Sequence, residues 1–122
     1  NRTVFIIQDG ECTAIRKRPE KGLLAGLYEL PNIQGHLKRE EALLYVEKMG
    51  LDPLYIEKLP PAKHIFSHIE WRMQAYRIKV SSLKKAQDRE LIFADKEQSG
   101  KQYAIPSAFG AYAKYIKEET TR

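Results

Sequence analysis

From Ile69 to Ala75 the chain alternates without a break: Ile69, Trp71, Met73 and Ala75 fall on one side, Glu70, Arg72 and Gln74 on the other. Successive side chains of a strand point to opposite faces, so this period of two predicts a half-buried β-strand. At Ala75-Tyr76 the apolar set changes phase to Tyr76, Ile78 and Val80. One extra residue in the strand would produce that slip, and a β-bulge is expected there. Residues 54–65 read as a preceding strand, interrupted by Pro60-Pro61; proline donates no ladder hydrogen bond, so this part is an edge or a bend. Between the two strands lie Phe66, Ser67 and His68. A three-residue hairpin loop is common, but the usual Gly, Asn or Asp is missing, and such departures from turn chemistry concentrate at functional sites.

The rest of the chain supplies the partners of this hairpin. Thr3 to Gln8 is a β-branched and aromatic run that ends in Asp9-Gly10, and a second strand follows from Glu11 to Arg18, which is a strong hairpin signal. Pro19 to Gly26 reads as a loop, with Gly22 and Gly26 serving loop geometry rather than phosphate binding. Leu27 to Leu30 forms a short strand stopped by Pro31-Asn32. From about Leu37 to Met49, Leu43 and Val46 and the pair Ala42 and Tyr45 recur at helical spacing, and Gly50 stands in the C-terminal cap position of an amphipathic helix. Ser81 to Glu90 is a polar connection and Leu91 to Ala94 a short strand. Pro106 then opens a last helix whose apolar face is Phe109, Tyr112, Tyr115 and Ile116, with Gly110 inside it. The order βββ-α-βββ-α predicts an α+β domain, with two main helices packed on a mixed β-sheet.

Charge narrows the partners. The formal net charge is +5, yet residues 58–79 alone carry Lys58, Lys63, Arg72, Arg77 and Lys79 against Glu70, a local excess of +4, while residues 23–57 are net acidic. Cations interleaved with His64, Phe66, His68, Trp71 and Tyr76 suit a nucleic-acid surface, where cations meet phosphates and rings stack on or wedge between bases. The competing reading is a solvated strand face of a mildly basic protein. The longest aliphatic and aromatic run, Val4 to Ile7, is four residues, far short of the ~20 that cross a bilayer. A single thiol, Cys12, makes no intramolecular disulfide, four-cysteine zinc site or four-thiolate iron–sulfur cluster, and is expected to be buried and inert. A chain of 122 residues that starts at Asn1 is expected to be one domain, 1–122, cut from something longer.

The hairpin tip has a chemistry of its own. An apolar ring on a stiff ribbon can enter a base step, the few kcal/mol of lost stacking being offset by new contacts. Oxidation of guanine at C8 turns the N7 acceptor into an N–H donor and adds a carbonyl acceptor, whereas ordinary major-groove readout finds N7 an acceptor. A serine hydroxyl both donates and accepts, so Ser67 could satisfy both groups of the oxidised base. Guanine would leave a polar group unpaired, at a cost of about 1–3 kcal/mol. The bland alternative folds Phe66 under the sheet, gives Ser67 the turn and leaves the histidines exposed.

The segment Lys63-His64-Ile65-Phe66-Ser67-His68-Ile69-Glu70-Trp71, with Gly22-Leu23-Leu24-Ala25-Gly26-Leu27-Tyr28-Glu29-Leu30-Pro31 upstream, closely resembles the C-terminal domain of the MutY-type adenine DNA glycosylases. The resemblance runs from about residue 3 to about residue 117. It implies a Nudix-like fold and a domain that recognises 8-oxoguanine opposite adenine in double-stranded DNA, while a separate N-terminal catalytic domain excises the adenine. On it, Phe66 is the wedge, Ser67 the partner of the oxidised base and His68 a neighbouring DNA contact, with Lys63, His64 and Arg72 as candidate phosphate contacts. It further implies a monomeric, cytoplasmic, nucleoid-associated bacterial protein, with no catalytic residue, metal or cofactor in this domain. The family's iron–sulfur cluster belongs to the catalytic domain.

The resemblance also raises a rival, a Nudix hydrolase of nucleoside diphosphate derivatives. That activity needs a glycine-rich loop and an Arg-Glu-x-x-Glu-Glu cluster that holds divalent metal against pyrophosphate oxygens. Aligned on Leu30-Pro31 and Gly50, the glycines become Asn32 and Ile33, Arg-Glu becomes Leu43-Leu44, and Glu-Glu becomes Glu47-Lys48. The frame is expected to be kept for shape and its metal chemistry lost, with Glu29 and Glu47 as surface or capping carboxylates. A third reading is a protein-interaction module.

Overall fold

A computed structural model describes residues 1–10, 12–17, 28–66, 69–83 and 91–95. In chain order the elements are β1 (Arg2–Gln8), β2 (Cys12–Lys17), β3 (Tyr28–Glu29), β4 (Asn32–Gln34), α1 (Arg39–Lys48), β5 (Pro53–Phe66), β6 (Ile69–Val80) and β7 (Leu91–Asp95). The expected loop over 19–26, the connection from Lys84 to Glu90 and the helix opened by Pro106 lie outside the described residues.

Local signals at the turns act as the sequence predicts. Gly10 has φ 93° between β1 and β2, and Asp9 N–H donates to the Cys12 carbonyl at 3.2 Å. Gly50, at φ 89°, takes the left-handed position after α1 and donates to the Glu47 carbonyl at 3.0 Å, closing the helix just past its last turn. At the other end Lys38 N–H donates to Glu41 Oε1 at 2.8 Å, so a carboxylate three residues in satisfies the helix entry.

All the described strands join one mixed sheet in the order β3-β2-β1-β6-β5, with β4 also paired to β1 and β7 to β2. The centre is the parallel pair of β1 and β6, in register from Arg2 opposite Met73 to Gln8 opposite Lys79. A parallel pair in mid-sheet is covered on both faces, which is why Val4-Phe5-Ile6-Ile7 is apolar throughout. Val4 and Ile6 join Ile15, Leu30, Leu59, Trp71, Met73 and Ala75 on one face. Phe5 and Ile7 pack on the other with Ala42 and Val46 of α1, and the Phe5 ring stacks on Tyr45 with centroids 4.4 Å apart. Each such side chain, fully buried, contributes about 1.5–3 kcal/mol.

Two expectations change here. The apolar set does move from Ala75 to Tyr76, but the register with both neighbours runs through these residues without a shift, so β6 carries no bulge there. Alternation persists, with Trp71, Met73 and Ala75 on the first face and Tyr76, Ile78 and Val80 on the second. What changes along β6 is which face is covered, and α1 covers the second. The irregularity lies on β5 instead, between Leu59 and Ala62, where Pro60 and Pro61 oppose the single residue Gln74. β5 ends the main strand order, where proline is tolerated. The second change is β4: the chain resumes pairing right after Pro31, with Asn32 opposite Val4, while the Pro31 carbonyl accepts from Phe5 N–H at 2.8 Å.

Candidate nucleic-acid interface

The β5–β6 hairpin is the longest ribbon among the described residues, and its last register pair is Phe66 opposite Ile69. Phe66 therefore belongs to the strand rather than to a three-residue loop, and the connection reduces to Ser67 and His68, which lie outside the described residues. Directly opposed residues of an antiparallel pair share a face. Lys63 stands opposite Arg72, and His64 opposite Trp71. The candidate phosphate contacts are thus divided between two faces: Lys63 and Arg72 on the α1 side, His64 on the other beside the buried Trp71.

Arg72 is exposed, and its Nε donates to Glu70 Oε2 at 2.7 Å. That guanidinium holds the Glu70 carboxyl below its ordinary range, and Glu70 in turn raises Arg72. The pair sits two residues apart on one strand face, so Arg72 is presented to solvent with its charge partly answered. On the opposite face Arg2 lies over the Trp71 ring, 5.2 Å from its centroid, and its Nε donates to Asn32 Oδ1 at 2.8 Å. Asn32 Nδ2 passes the chain on to Glu29 Oε1 at 2.9 Å and to the Leu30 carbonyl at 2.8 Å. Glu29 is only 7% exposed, so it is a buried structural carboxylate and not the surface group the sequence suggests. Glu47 is exposed as expected. Cys12 is a free thiol, half-buried rather than fully enclosed.

The local charge excess also divides. Arg77 is 9% exposed; its Nε donates to buried Gln8 Oε1 at 3.1 Å and its Nη1 lies 4.0 Å from Glu57 Oε1. It serves the core and is withdrawn from any DNA surface. Lys79 covers the Tyr55 ring at 5.7 Å. What sequence reasoning missed lies beside α1. His36, Lys38, Arg39 and Lys58 line an open cleft of 580 Å³ whose floor includes Ile56, Gln74 and Tyr76. The floor is fixed from below: Gln74 Nε2 and Tyr76 Oη donate to the Leu37 carbonyl at 2.6 and 2.8 Å, and Leu37 N–H donates to Thr3 Oγ1 at 2.9 Å. His36 Nε2 donates to the Arg72 carbonyl at 3.0 Å, tying this turn to the hairpin. No local pattern could have found the cleft, since Lys38 and Lys58 meet only through the packing of α1 on the sheet.

A mixed sheet with a central parallel pair, a helix across one face and a long basic hairpin define an α+β domain of Nudix-like architecture. Residues 3–115 match the NUDIX domain, and the chain belongs to that family. No curated protein matches it in sequence. Among solved structures it is similar to the C-terminal domain of mouse MUTYH in complex with human PCNA, at TM-score 0.71 and 19% identity over 94% of this chain and 84% of that one. It is also similar to a Nudix hydrolase from M. smegmatis, RenU, at TM-score 0.64 and 12% identity, covering 96% of this chain and 83% of that one. A third likeness is Shewanella oneidensis NrtR complexed with a 27mer DNA, at TM-score 0.66 and 17% identity, covering 95% of this chain and 58% of that one. At these identities the likenesses establish the fold alone.

The divalent metal of Nudix hydrolysis does not fit the residues present on α1. Leu44 is 52% exposed where a carboxylate is wanted, Lys48 is basic, and Glu47 is the one acid of the four aligned positions. Among the described residues no three His, Cys, Asp or Glu side chains converge closely enough to hold a cation.

Proposed function

We propose that this chain is a noncatalytic lesion-recognition domain, spanning residues 1–122, that engages 8-oxoguanine opposite adenine in duplex DNA and works beside a separate adenine-excising domain of one glycosylase. The observation that carries the reading is the long β5–β6 hairpin, which leads to Phe66, Ser67 and His68 and carries the exposed Lys63 and Arg72 on one face. The likeness of fold to the MUTYH C-terminal domain supports it, and the loss of the helix carboxylates argues against pyrophosphate hydrolysis. In this reading Phe66 opens the base step, Ser67 reads the altered edge, and His68 and the hairpin cations hold the backbone. The domain itself needs no cofactor and acts as a monomer in the bacterial cytoplasm.

The test is duplex binding by fluorescence anisotropy at low salt, with 8-oxoguanine:adenine and undamaged duplexes in parallel. Lesion-containing duplex binds more tightly to the native chain, and Ser67→Ala with Phe66→Ala removes the preference, because a hydroxyl that both donates and accepts is removed together with the wedge. Equal affinity for the two duplexes before and after these substitutions would refute the reading. The similarity to RenU keeps a nucleotide pyrophosphohydrolase as the second reading. Pyrophosphate release from oxidised dGTP with magnesium or manganese, abolished by Glu47→Gln, would favour it.

A further inference from the structure

The cleft beside α1 is lined by none of the residues assigned above to lesion reading. Lys38 and Arg39 enter it from the start of α1 and Lys58 from β5, against Glu40 in the lining and Glu41 near the Tyr76 floor. Among the described residues none of these three cations forms an ion pair. Lys58 stands opposite Tyr76 in the hairpin register, on the same face as Lys63 and Arg72, so the cleft continues the positive strip of the ribbon. The hydrogen bonds of Gln74 and Tyr76 to the Leu37 carbonyl hold its floor in place, so the cations are presented on a fixed support.

We propose that this cleft is a second contact for the DNA backbone, receiving phosphates of the same duplex away from the lesion; the proposal rests on the reading of the chain as a duplex-binding domain. Phosphate oxygens only accept, and a cleft lined by ammonium and guanidinium groups from two elements answers them by charge without reading sequence. Geometry sets the spacing. Tyr76, opposite Lys58, lies seven residues along β6 from Ile69 at the hairpin end. At ~3.3 Å per residue that is roughly 23 Å. With the ribbon laid along the duplex, whose strands each carry a phosphate every ~3.4 Å of axis, the cleft meets the backbone about seven base pairs from the lesion. Continuity with the hairpin strip favours an extended duplex over a free nucleotide, which would reach one end of the strip only.

The experiment compares this chain with its Lys38→Gln/Arg39→Gln/Lys58→Gln variant on the lesion-containing and undamaged duplexes between 50 and 200 mM salt. Each phosphate that the variant no longer neutralises lowers the log–log salt slope by about 0.9, so three of them lower it by about 2.7. Both duplexes lose affinity together and their ratio holds. Lys38→Arg/Lys58→Arg keeps the native slope, and unchanged far-ultraviolet circular dichroism shows that the triple variant is folded. Trimming the duplex to fewer than about seven base pairs on one side of the lesion weakens the native chain and leaves the triple variant unaffected. A native slope in the triple variant overturns the proposal. If the native chain binds both duplexes equally while the slope still falls, lesion recognition fails and the backbone contact stands. If it binds neither, both fail.

Discussion

Replacing Arg77 with methionine separates the charge that the sequence counts from the charge that a partner can meet. Arg77 is 9% exposed, and its Nε–H supports Gln8 Oε1 at 3.1 Å in a network that continues from Gln8 Nε2 to Thr13 Oγ1 at 3.2 Å. Methionine keeps the apolar stem, so packing is largely preserved while the guanidinium is removed. Hydrogen bonds to charged groups contribute about 1.5–3 kcal/mol, and Gln8 Oε1 stays buried with one partner fewer. The Glu57 contact, at 4.0 Å and with Glu57 half in solvent, adds little. A loss of about 2 kcal/mol is expected. For a domain of this size about 4 °C accompanies each kcal/mol, so Tm falls by about 8 °C. Thermal unfolding followed by circular dichroism measures it, and a salt titration of DNA binding below the transition supplies the second readout. The slope of that titration stays native, since a buried guanidinium neutralises no phosphate. An unchanged Tm with a shallower slope would mean that Arg77 faces the partner and that its assignment to the core is mistaken.

Other substitutions probe the cleft floor and the helix end. Burial, reinforced by Glu40 and Glu41, raises the Tyr76 phenol above its ordinary value. A folded pKa above the unfolded one gives stability that is whole below about pH 10 and is lost as pH rises through the folded value. Urea midpoints of the native chain therefore drop on the alkaline side of pH 10; Tyr76→Phe flattens that part of the profile while losing about 1 kcal/mol at neutral pH from the Leu37 hydrogen bond, and a profile identical to the native one would count against the buried phenol. Gly50→Ala forces a side chain to φ 89° and costs about 1–2 kcal/mol in urea unfolding; an unaltered midpoint would contradict the left-handed cap.

What could be read from the chain was whatever a few neighbouring residues decide. Asp9-Gly10 and Gly50 mark places where the backbone must reach positive φ, and both glycines occupy such positions. The alternation of β6 and the spacings of Leu43 with Val46 and of Ala42 with Tyr45 state a period, and the period belongs to the strand or helix itself. Every described strand except β4 was legible around the one described helix for that reason. The basic hairpin with Lys63 and Arg72 was legible too, as a ribbon, though the sequence placed His64 with them when the register divides the faces.

Tertiary structure decided everything that depends on residues distant in the chain. The parallel pairing of β1 with β6 joins residues about seventy positions apart, and no local turn chemistry announces it. From that pairing follow the two covered faces, and hence the apparent phase slip at Ala75-Tyr76, which is a change of covering rather than of backbone. Glu29 and Arg77 look like surface charges because charge is a property of a residue, whereas burial belongs to its neighbours; Asn32 enclosed the one and Gln8 the other. Lys38 and Arg39 sit in a segment that is net acidic by sequence, yet α1 packing sets them beside Lys58, because a helix laid on a sheet brings its first turn to whichever strand lies beneath. The period of each element and the sign of each charge are local properties of the chain, and only packing sets which face is wet and which charges stand together.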